Sequence, residues 1–423
     1  MGTEAAQAEQ AKALDAPGEP EQVGRRAPGW WGSARSRLGL ERNILVMLGI
    51  ILLVGLGEEM WVRFLPQYLV VLGAGTWGVA AYGALRDLLD AVYQYPGGWL
   101  ADHLGRRRAL MLFTLVAAVG YGVYLFAPSW EWILLGTLLV MAWDSLTLPA
   151  LFAVVADTLP ENHRAAGFGM QSLLRRVPTI VAPPLGGALI IGLGFAAGME
   201  VGLALTVGLA LLAVWLVARF YRDTRPPAGP QVRVMRLWRE MDSRLKRLLL
   251  ADCLARWAEG IPRVFVALYV LGVLGLSPLA FGWLIVLQRV TNVVVYVPLA
   301  PLSDRMNRKP FVLITFAFFA LFPLMLVTAT GLVGAALAFF VAGLWEIGEP
   351  ARKALIVDLA PESVRGRAIG LYYLLRNLSV FPTALVGGLI WSTLGLQFVF
   401  YIAFGVGVLG FLTYAFWGAA DDA

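Results

Sequence analysis

The sequence predicts an all-α membrane protein of twelve transmembrane helices arranged as two pseudo-symmetric six-helix bundles. Three observations carry this. Hydrophobic residues make up 59% of the 423 and charged residues only 15%, which is too apolar for a water-soluble domain of that size. The apolar stretches each approach or exceed the roughly 20 residues that a helix needs to cross hydrocarbon, and none alternates like the shorter strands of a membrane barrel. Charge inside the stretches follows a period of three: the third, sixth, ninth and twelfth carry none in their apolar interiors, and every other carries at least one. A charge in hydrocarbon is costly and is expected to face a bundle interior or a wet cavity. One third of the helices should therefore face lipid and the rest should surround a cavity, the layout of a membrane carrier.

The elements follow in order. Residues 1–40, rich in Ala, Glu, Gln, Gly and Pro, lack the apolar core of a secretory signal. They read as a disordered cytoplasmic tail. Trp30, Trp31, Arg35, Arg37 and Arg42 flank span 1. Spans 1 to 6 cover about 43–72, 75–101, 108–127, 131–158, 165–192 and 200–220, within an N-terminal bundle of 41–220. The polar stretch 221–245 is a cytoplasmic basic linker. Spans 7 to 12 cover about 246–273, 279–302, 310–330, 333–358, 366–392 and 396–417, within a C-terminal bundle of 246–417. Residues 418–423 form a short cytoplasmic tail.

The links explain the net charge of +6. Those near 73–76, 128–130, 193–199, 274–278, 330–332 and 393–397 contain no Lys or Arg, whereas the alternate links carry Arg106 to Arg108, Arg164, Arg305, Arg308, Lys309, Arg365 and Arg367. The positive-inside rule places the basic links, and with an even number of spans both termini, in the cytoplasm of a cell inner or plasma membrane. The charge is thus a topology signal, and no nucleic-acid partner is expected. The single cysteine, Cys253, excludes an internal disulfide framework.

The halves repeat at an offset of about 201. The run Asp157 to Arg164 shares Asp, Pro, Glu and Arg with the run Asp358 to Arg365. Gly169 matches Gly370, Arg175 matches Arg376, and Gly186-Gly187 matches Gly387-Gly388. One residue further on, Pro96, Asp102, Arg106 and Arg107 correspond to Pro298, Asp304, Arg308 and Lys309. Parallel repeats of this kind place a site between the halves near the membrane midplane, and access alternates by rocking.

Gly98-Trp-Leu-Ala-Asp102-His-Leu-Gly105-Arg106-Arg107-Arg108 joins spans 2 and 3. It resembles the G-x-L-A-D-x-x-G-R-[RK] loop signature of the major facilitator superfamily, and Pro301 to Lys309 is a degraded second copy. The resemblance covers 43–417 and implies that spans 1, 4, 7 and 10 line the cavity, with 2, 5, 8 and 11 beside them. It also implies a conformational latch built from Gly98, Asp102, Gly105, Arg106, Asp157 and Arg164 in one half and Asp304, Arg308, Asp358 and Arg365 in the other. Arg106 is expected to pair with Asp157, and Arg308 with Asp358. In span 5 the run Pro178 to Gly187 partly resembles the G-x-x-x-G-P-x-x-G-G run of drug–proton antiporters; Pro178 and Ala182 replace two of its glycines, and span 4 lacks that branch's arginine.

Charges fall on the expected cavity helices, among them Arg86, Asp87, Asp252, Arg256, Arg263, Arg289, Arg352 and Lys353. Asp252, Arg352 and Lys353, near helix ends, read as structural pairing. Burial changes how tightly a carboxylate holds a proton, so mid-membrane acids can load and release protons near neutral pH. The proton-coupling candidates are Glu58, Glu59, Asp90, Asp144, Glu259, Glu346 and Glu349. Guanidinium groups suit carboxylate or phosphate, so Arg63, Arg175, Arg176 and Arg376 are candidates for an anionic substrate group, with Tyr93, Gln94, Gln288, Tyr296 and Asn377 as hydrogen-bonding neighbours.

The expected function is proton-coupled secondary transport of a small polar solute, charged or zwitterionic, by a monomer in the lipid bilayer without cofactor or metal. The alternatives are a proton-driven multidrug efflux antiporter and a lipid or lysolipid carrier. An intramembrane enzyme lacks support, since no H-E-x-x-H, G-x-S-x-G or phosphate-loop run is present. A non-transporting sensor would not need the intact Gly98–Arg107 motif.

Overall fold

A computed structural model describes residues 42–147, 151, 154–155, 161–222, 241–303, 306–360 and 365–417. The two tails, most of the 221–245 linker, Asp157 and Asp304 lie outside the described residues, as do the side chains of Gln94, Asp102, Arg164 and Arg365 and the surroundings of Gly98.

The described residues contain no strand. Nine of their helices are long and apolar enough to cross a membrane. Spans 2 and 7 are helices as well, Thr76–Leu104 and Ser243–Arg263. Each carries several charged residues, among them Arg86, Asp87 and Asp90 in the first and Asp252, Arg256 and Glu259 in the second.

Irregular backbone marks the four helices expected to line the cavity. Span 1 ends its first helix at Trp61 and resumes at Leu65, with Pro66 in the first turn. Span 4 runs from Trp130 to Met141 and then widens into a π-turn, Ala142–Leu146. Span 7 stops at Arg263, just past Pro262, and passes through Val266–Leu268 into a second π-turn, Tyr269–Val273. Span 10 stops at Leu344 and restarts at Glu349, followed by Pro350. There the Gly348 N–H donates to Thr315 Oγ1 at 2.7 Å, so a side chain of span 9 satisfies a backbone group that the break releases. Continuous helices were expected for these spans. Proline explains three of the breaks, because it removes a donor and crowds the preceding turn. Such discontinuities are tolerated at membrane depth only where protein or a wet cavity covers them.

The internal repeat is visible in the packing. A Cβ on Gly186 would lie 1.7 Å from Met60 O, and one on its twin Gly387 would lie 2.5 Å from Ile261 O. Met60 and Ile261 are themselves twins, so span 5 seats against span 1 as span 11 seats against span 7. The next residue of each pair crosses between the halves. A Cβ on Gly187 would lie 2.6 Å from Pro278 O of span 8, and one on Gly388 would lie 2.5 Å from Ala80 Cβ of span 2. Small residues let backbones approach closely where lipid supplies no hydrophobic drive for helix association.

The end bearing Arg106 to Arg108 and Arg308 is the basic end; the end bearing the links near 73–76 and 274–278 is the short-link end. The glycine contacts close the halves at the short-link end. Phe64 and Phe281 add to that closure across the halves, edge to face at 5.5 Å.

Candidate functional site

Below the short-link closure lies a cavity of about 620 Å³, lined by residues of both halves. Its N-terminal wall is highly charged. Glu59 and Arg63, one turn apart on span 1, pair at 3.3 Å. Arg86 of span 2 pairs with Asp144 in the span 4 π-turn at 3.1 Å. The next residue of that turn, Ser145, donates to Asp90 at 2.8 Å. Glu58 is buried in the same wall, and both it and Asp144 line the cavity. The π-turn presents Asp144 and Ser145 to span 2 together, and π-turns recur at functional sites.

The C-terminal wall is mixed. Glu259, Arg263, Gln288 and Arg289 are polar, while Phe281, Phe322, Phe339 and Trp345 form an aromatic face. The rings are continuous: Phe281 meets Phe339 at 6.1 Å, Phe339 meets Phe322 at 5.8 Å, and Phe322 meets Trp345 at 5.9 Å. One ion pair crosses the cavity between the halves, from Arg263 of span 7 to Asp87 of span 2.

Of the residues singled out from sequence, Glu58, Glu59, Arg63, Asp90, Asp144, Arg175, Glu259 and Gln288 line this cavity. Glu346, Arg176 and Tyr296 meet beside it: Arg176 lies 3.6 Å from Glu346 and 5.1 Å from the Tyr296 ring centroid, again joining the two halves. Tyr93 turns away and donates to Leu138 O at 3.2 Å.

Glu349, Arg376 and Asn377 belong to a separate cluster inside the C-terminal half. Its centre is Asp252, fully buried, which accepts from Arg352 and, at 2.9 Å, from the Tyr372 hydroxyl. Arg352 also bonds Glu349, while Lys353 lies 3.5 Å from Glu349. Arg376 lies 4.0 Å from Asp252 and donates to Asn377 at 2.9 Å. Arg256 links this cluster to the cavity: it donates to Glu259 at 2.8 Å and reaches Glu349 at 3.7 Å. Cys253, beside Asp252, is a free thiol.

At the basic end, Gly105 joins spans 2 and 3 with φ +81°, a left-handed conformation that glycine adopts without strain. Arg106 beside it is buried, and Arg107 donates to Ala218 O of span 6. In the other half Arg308 pairs with Asp358, across the ends of spans 9 and 10. Asn307 caps span 9 by accepting from Lys309 N at 2.8 Å.

A family model described as Major Facilitator Superfamily matches residues 47–254 and 248–422, nearly the whole chain. The chain belongs to the major facilitator superfamily. It is accordingly a multi-pass membrane transporter and not an enzyme. An uncharacterised superfamily transporter of Methanocaldococcus jannaschii is 20% identical over 371 residues, which cover 84% of this chain and 89% of that one. A multi-drug resistance efflux pump PmrA homolog of Lactococcus lactis is 29% identical over 185 residues, 43% of this chain and 44% of the pump, so this match spans less than half of the relative. Among solved structures, the nucleoside transporter NupG has the same fold, with a TM-score of 0.75 at 13% identity over 88% of this chain and 99% of that one.

Sequence reasoning assigned no site role to Arg86, Asp87, Arg263 or Arg289, all of which line the cavity. Their signal was present as charge in mid-span, but helical spacing alone did not say which face of spans 2, 7 and 8 turns inward.

Proposed function

We propose that this superfamily member moves a small charged or zwitterionic solute by alternating access, coupled to protons, with its basic end and both termini in the cytoplasm. The observation that carries this reading is the cavity itself: a polar, ion-paired chamber between two repeats, at the level where all four lining helices depart from regular helix. Broken helices supply side chains and loose backbone groups at such midplane sites. Glu58 and Asp144 are the proton carriers. A proton carried here is released when one half rocks away and water reaches the wall, where Arg86 already pairs with Asp144 at 3.1 Å. Asp90 with Ser145, and Glu59 with Arg63, complete the N-terminal wall.

The latch of this reading is the cluster at the basic end, with Arg308 on Asp358 in the C-terminal half and the Gly98–Arg106 loop in the other. The glycine contacts draw the halves together at the short-link end, which is the closed side in this reading.

The test is uptake into proteoliposomes with an imposed pH gradient, using a panel of labelled organic acids, amino acids and amines. Uptake that follows the gradient and disappears in Glu58→Gln supports the reading. Uptake of every substrate at equal rates with and without the gradient contradicts coupling.

A second reading, proton-driven efflux of amphipathic drugs, is favoured by the aromatic face Phe281–Phe339–Phe322–Trp345 and by the similarity to the Lactococcus lactis efflux pump homolog. Amine substrates moving outward against a gradient would favour it.

A further inference from the structure

The pseudo-twofold axis makes a specific expectation about charge. Asp87 of span 2 pairs with Arg263 of span 7 across the halves. The equivalent contact, by the repeat offsets of about 201 and 202, joins span 8 to span 1. Arg289 stands where Asp87 does, and Val62, beside Arg63, stands where Arg263 does. The ion pair on one side of the axis therefore has no counterpart on the other, where two cations, Arg289 and Arg63, line the cavity from opposite halves.

Among the described residues no carboxylate pairs with Arg289. Glu59, Glu346 and Glu259 lie in its field. Each is held by another guanidinium: Arg63 at 3.3 Å, Arg176 at 3.6 Å and Arg256 at 2.8 Å respectively. Arg289 Nε is buried and has no hydrogen-bond partner. Buried donors are nearly always satisfied, and an exception calls for a missing partner.

A second cavity cation is open for a related reason. Arg376 is held near Asp252 at 4.0 Å, whereas for its twin Arg175 the residue in the place of Asp252 is Ile51, an apolar lining residue of the same cavity. The repeat thus lacks an acid at two places, and both face the cavity.

We propose that the transported solute is an amphipathic organic anion. Its carboxylate, sulfonate or phosphate group sits between Arg289 and Arg63, against the unpartnered Arg289 Nε, and Arg175 adds to the field. Its apolar body lies along the rings of Phe281, Phe339, Phe322 and Trp345. A chamber of about 620 Å³ accommodates a drug-sized molecule. Because Arg63 and Arg289 belong to opposite halves, the anion also relieves a repulsion that otherwise pushes the halves apart, which links occupancy to rocking. This inference names the substrate class within the transporter reading and rests on it.

The test uses the full chain in lipid nanodiscs, with four probes: 1-naphthoate, its neutral amide, 1-naphthylmethylammonium, and acetate. Binding is read by calorimetry and by the rise in melting temperature that a ligand of the folded state produces. The expected result is that naphthoate binds at least roughly tenfold more tightly than the amide, the ammonium or acetate. Arg289→Gln should remove the preference for naphthoate over the amide, Arg289→Lys should keep part of it, and Arg219→Gln, at the basic end of span 6, should change nothing. The wild-type comparison needs no variant to fold. Equal or tighter binding of the ammonium or amide overturns the anion assignment. Acetate binding as well as naphthoate overturns the amphipathic body. An unchanged preference in Arg289→Gln overturns the site. Failure of this inference is separable from failure of transport: proteoliposomes that carry the ammonium but not naphthoate keep the transporter reading alone, and naphthoate bound without flux keeps the anion site alone.

Discussion

Asp87 and Arg263 form an ion pair between the two halves of the molecule, one on span 2 and the other on span 7, at the edge of the central cavity. Arg263 is 40% exposed and Asp87 10%, so the pair is wet on one side and buried on the other. A pair in that position has to break or stretch whenever the halves separate there. Its strength therefore sets the balance between arrangements of the halves rather than the stability of either half. In a double-mutant cycle, Asp87→Asn and Arg263→Gln should each lower the melting temperature, and the double variant should lower it by less than the sum, with a coupling of about 0.5–3 kcal/mol. Additive losses would mean that the two charges do not act together.

The buried pair of Asp252 and Arg352 should behave differently. Both side chains are essentially inaccessible, and Tyr372 completes the acceptor set of Asp252. Removing one member strands the other charge, so Asp252→Asn or Arg352→Gln should cost about 3–5 kcal/mol. Replacing both by apolar residues of similar volume should recover most of that loss. Thermal unfolding in detergent checks both statements, and transport by the double variant should stay within a few-fold of the parent, since neither residue lines the cavity.

Packing gives a sharper prediction at the twin glycines. Gly186→Val would drive side-chain atoms into the Met60 carbonyl, which a Cβ alone would approach to 1.7 Å. Backbone cannot yield as a flexible side chain can, and overpacking costs about 1–3 kcal/mol or more. The yield of folded protein should fall for Gly186→Val and for Gly387→Val, and it should be unchanged for Gly208→Val, where nothing lies within 4 Å.

The Arg308–Asp358 pair at the basic end is largely exposed on the acid side, with Asp358 58% accessible. Exposed pairs contribute about 0–1 kcal/mol. Asp358→Asn should therefore leave the melting temperature within a degree or two while slowing flux severalfold if the pair acts as a latch. Unaltered flux at unaltered stability would reduce the pair to a topological signal.

Much of the fold was legible because membranes enforce simple rules. The glycine doublets at 186–187 and 387–388 have direct structural counterparts in paired helix contacts, whereas the charge-free span 9, expected to face lipid, brings Phe322 to the cavity. The interruptions were less legible. Pro66, Pro262 and Pro350 were visible, yet whether a proline kinks a helix or ends it depends on what takes up the freed backbone groups, as Thr315 does for Gly348. The site was legible as a set of residues but not as a wiring diagram. Arg175 and Arg376 are twins in sequence and occupy twin helices, but Asp252 and Asn377 engage only the second, because Ile51 occupies the place of Asp252 in the first half. Glu349 looked like Glu346 by depth; Arg352 and Lys353, one turn on, draw it into the Asp252 cluster instead. Arg289 had no distinguishing mark of its own. Its meaning came from the comparison with Asp87, which needs the pairing of helices as well as their order.

Flux across a membrane tests the central claim most directly. Proteoliposomes containing the full chain would be given an imposed pH gradient, and labelled 1-naphthoate would be followed with and without a protonophore, in parallel with Glu58→Gln. The account predicts accumulation of naphthoate that the protonophore collapses and that Glu58→Gln abolishes, while Glu58→Gln still binds naphthoate with affinity within a few-fold of the parent. Accumulation unaffected by the protonophore and equal in Glu58→Gln would contradict proton coupling through the Glu58–Asp144 pair.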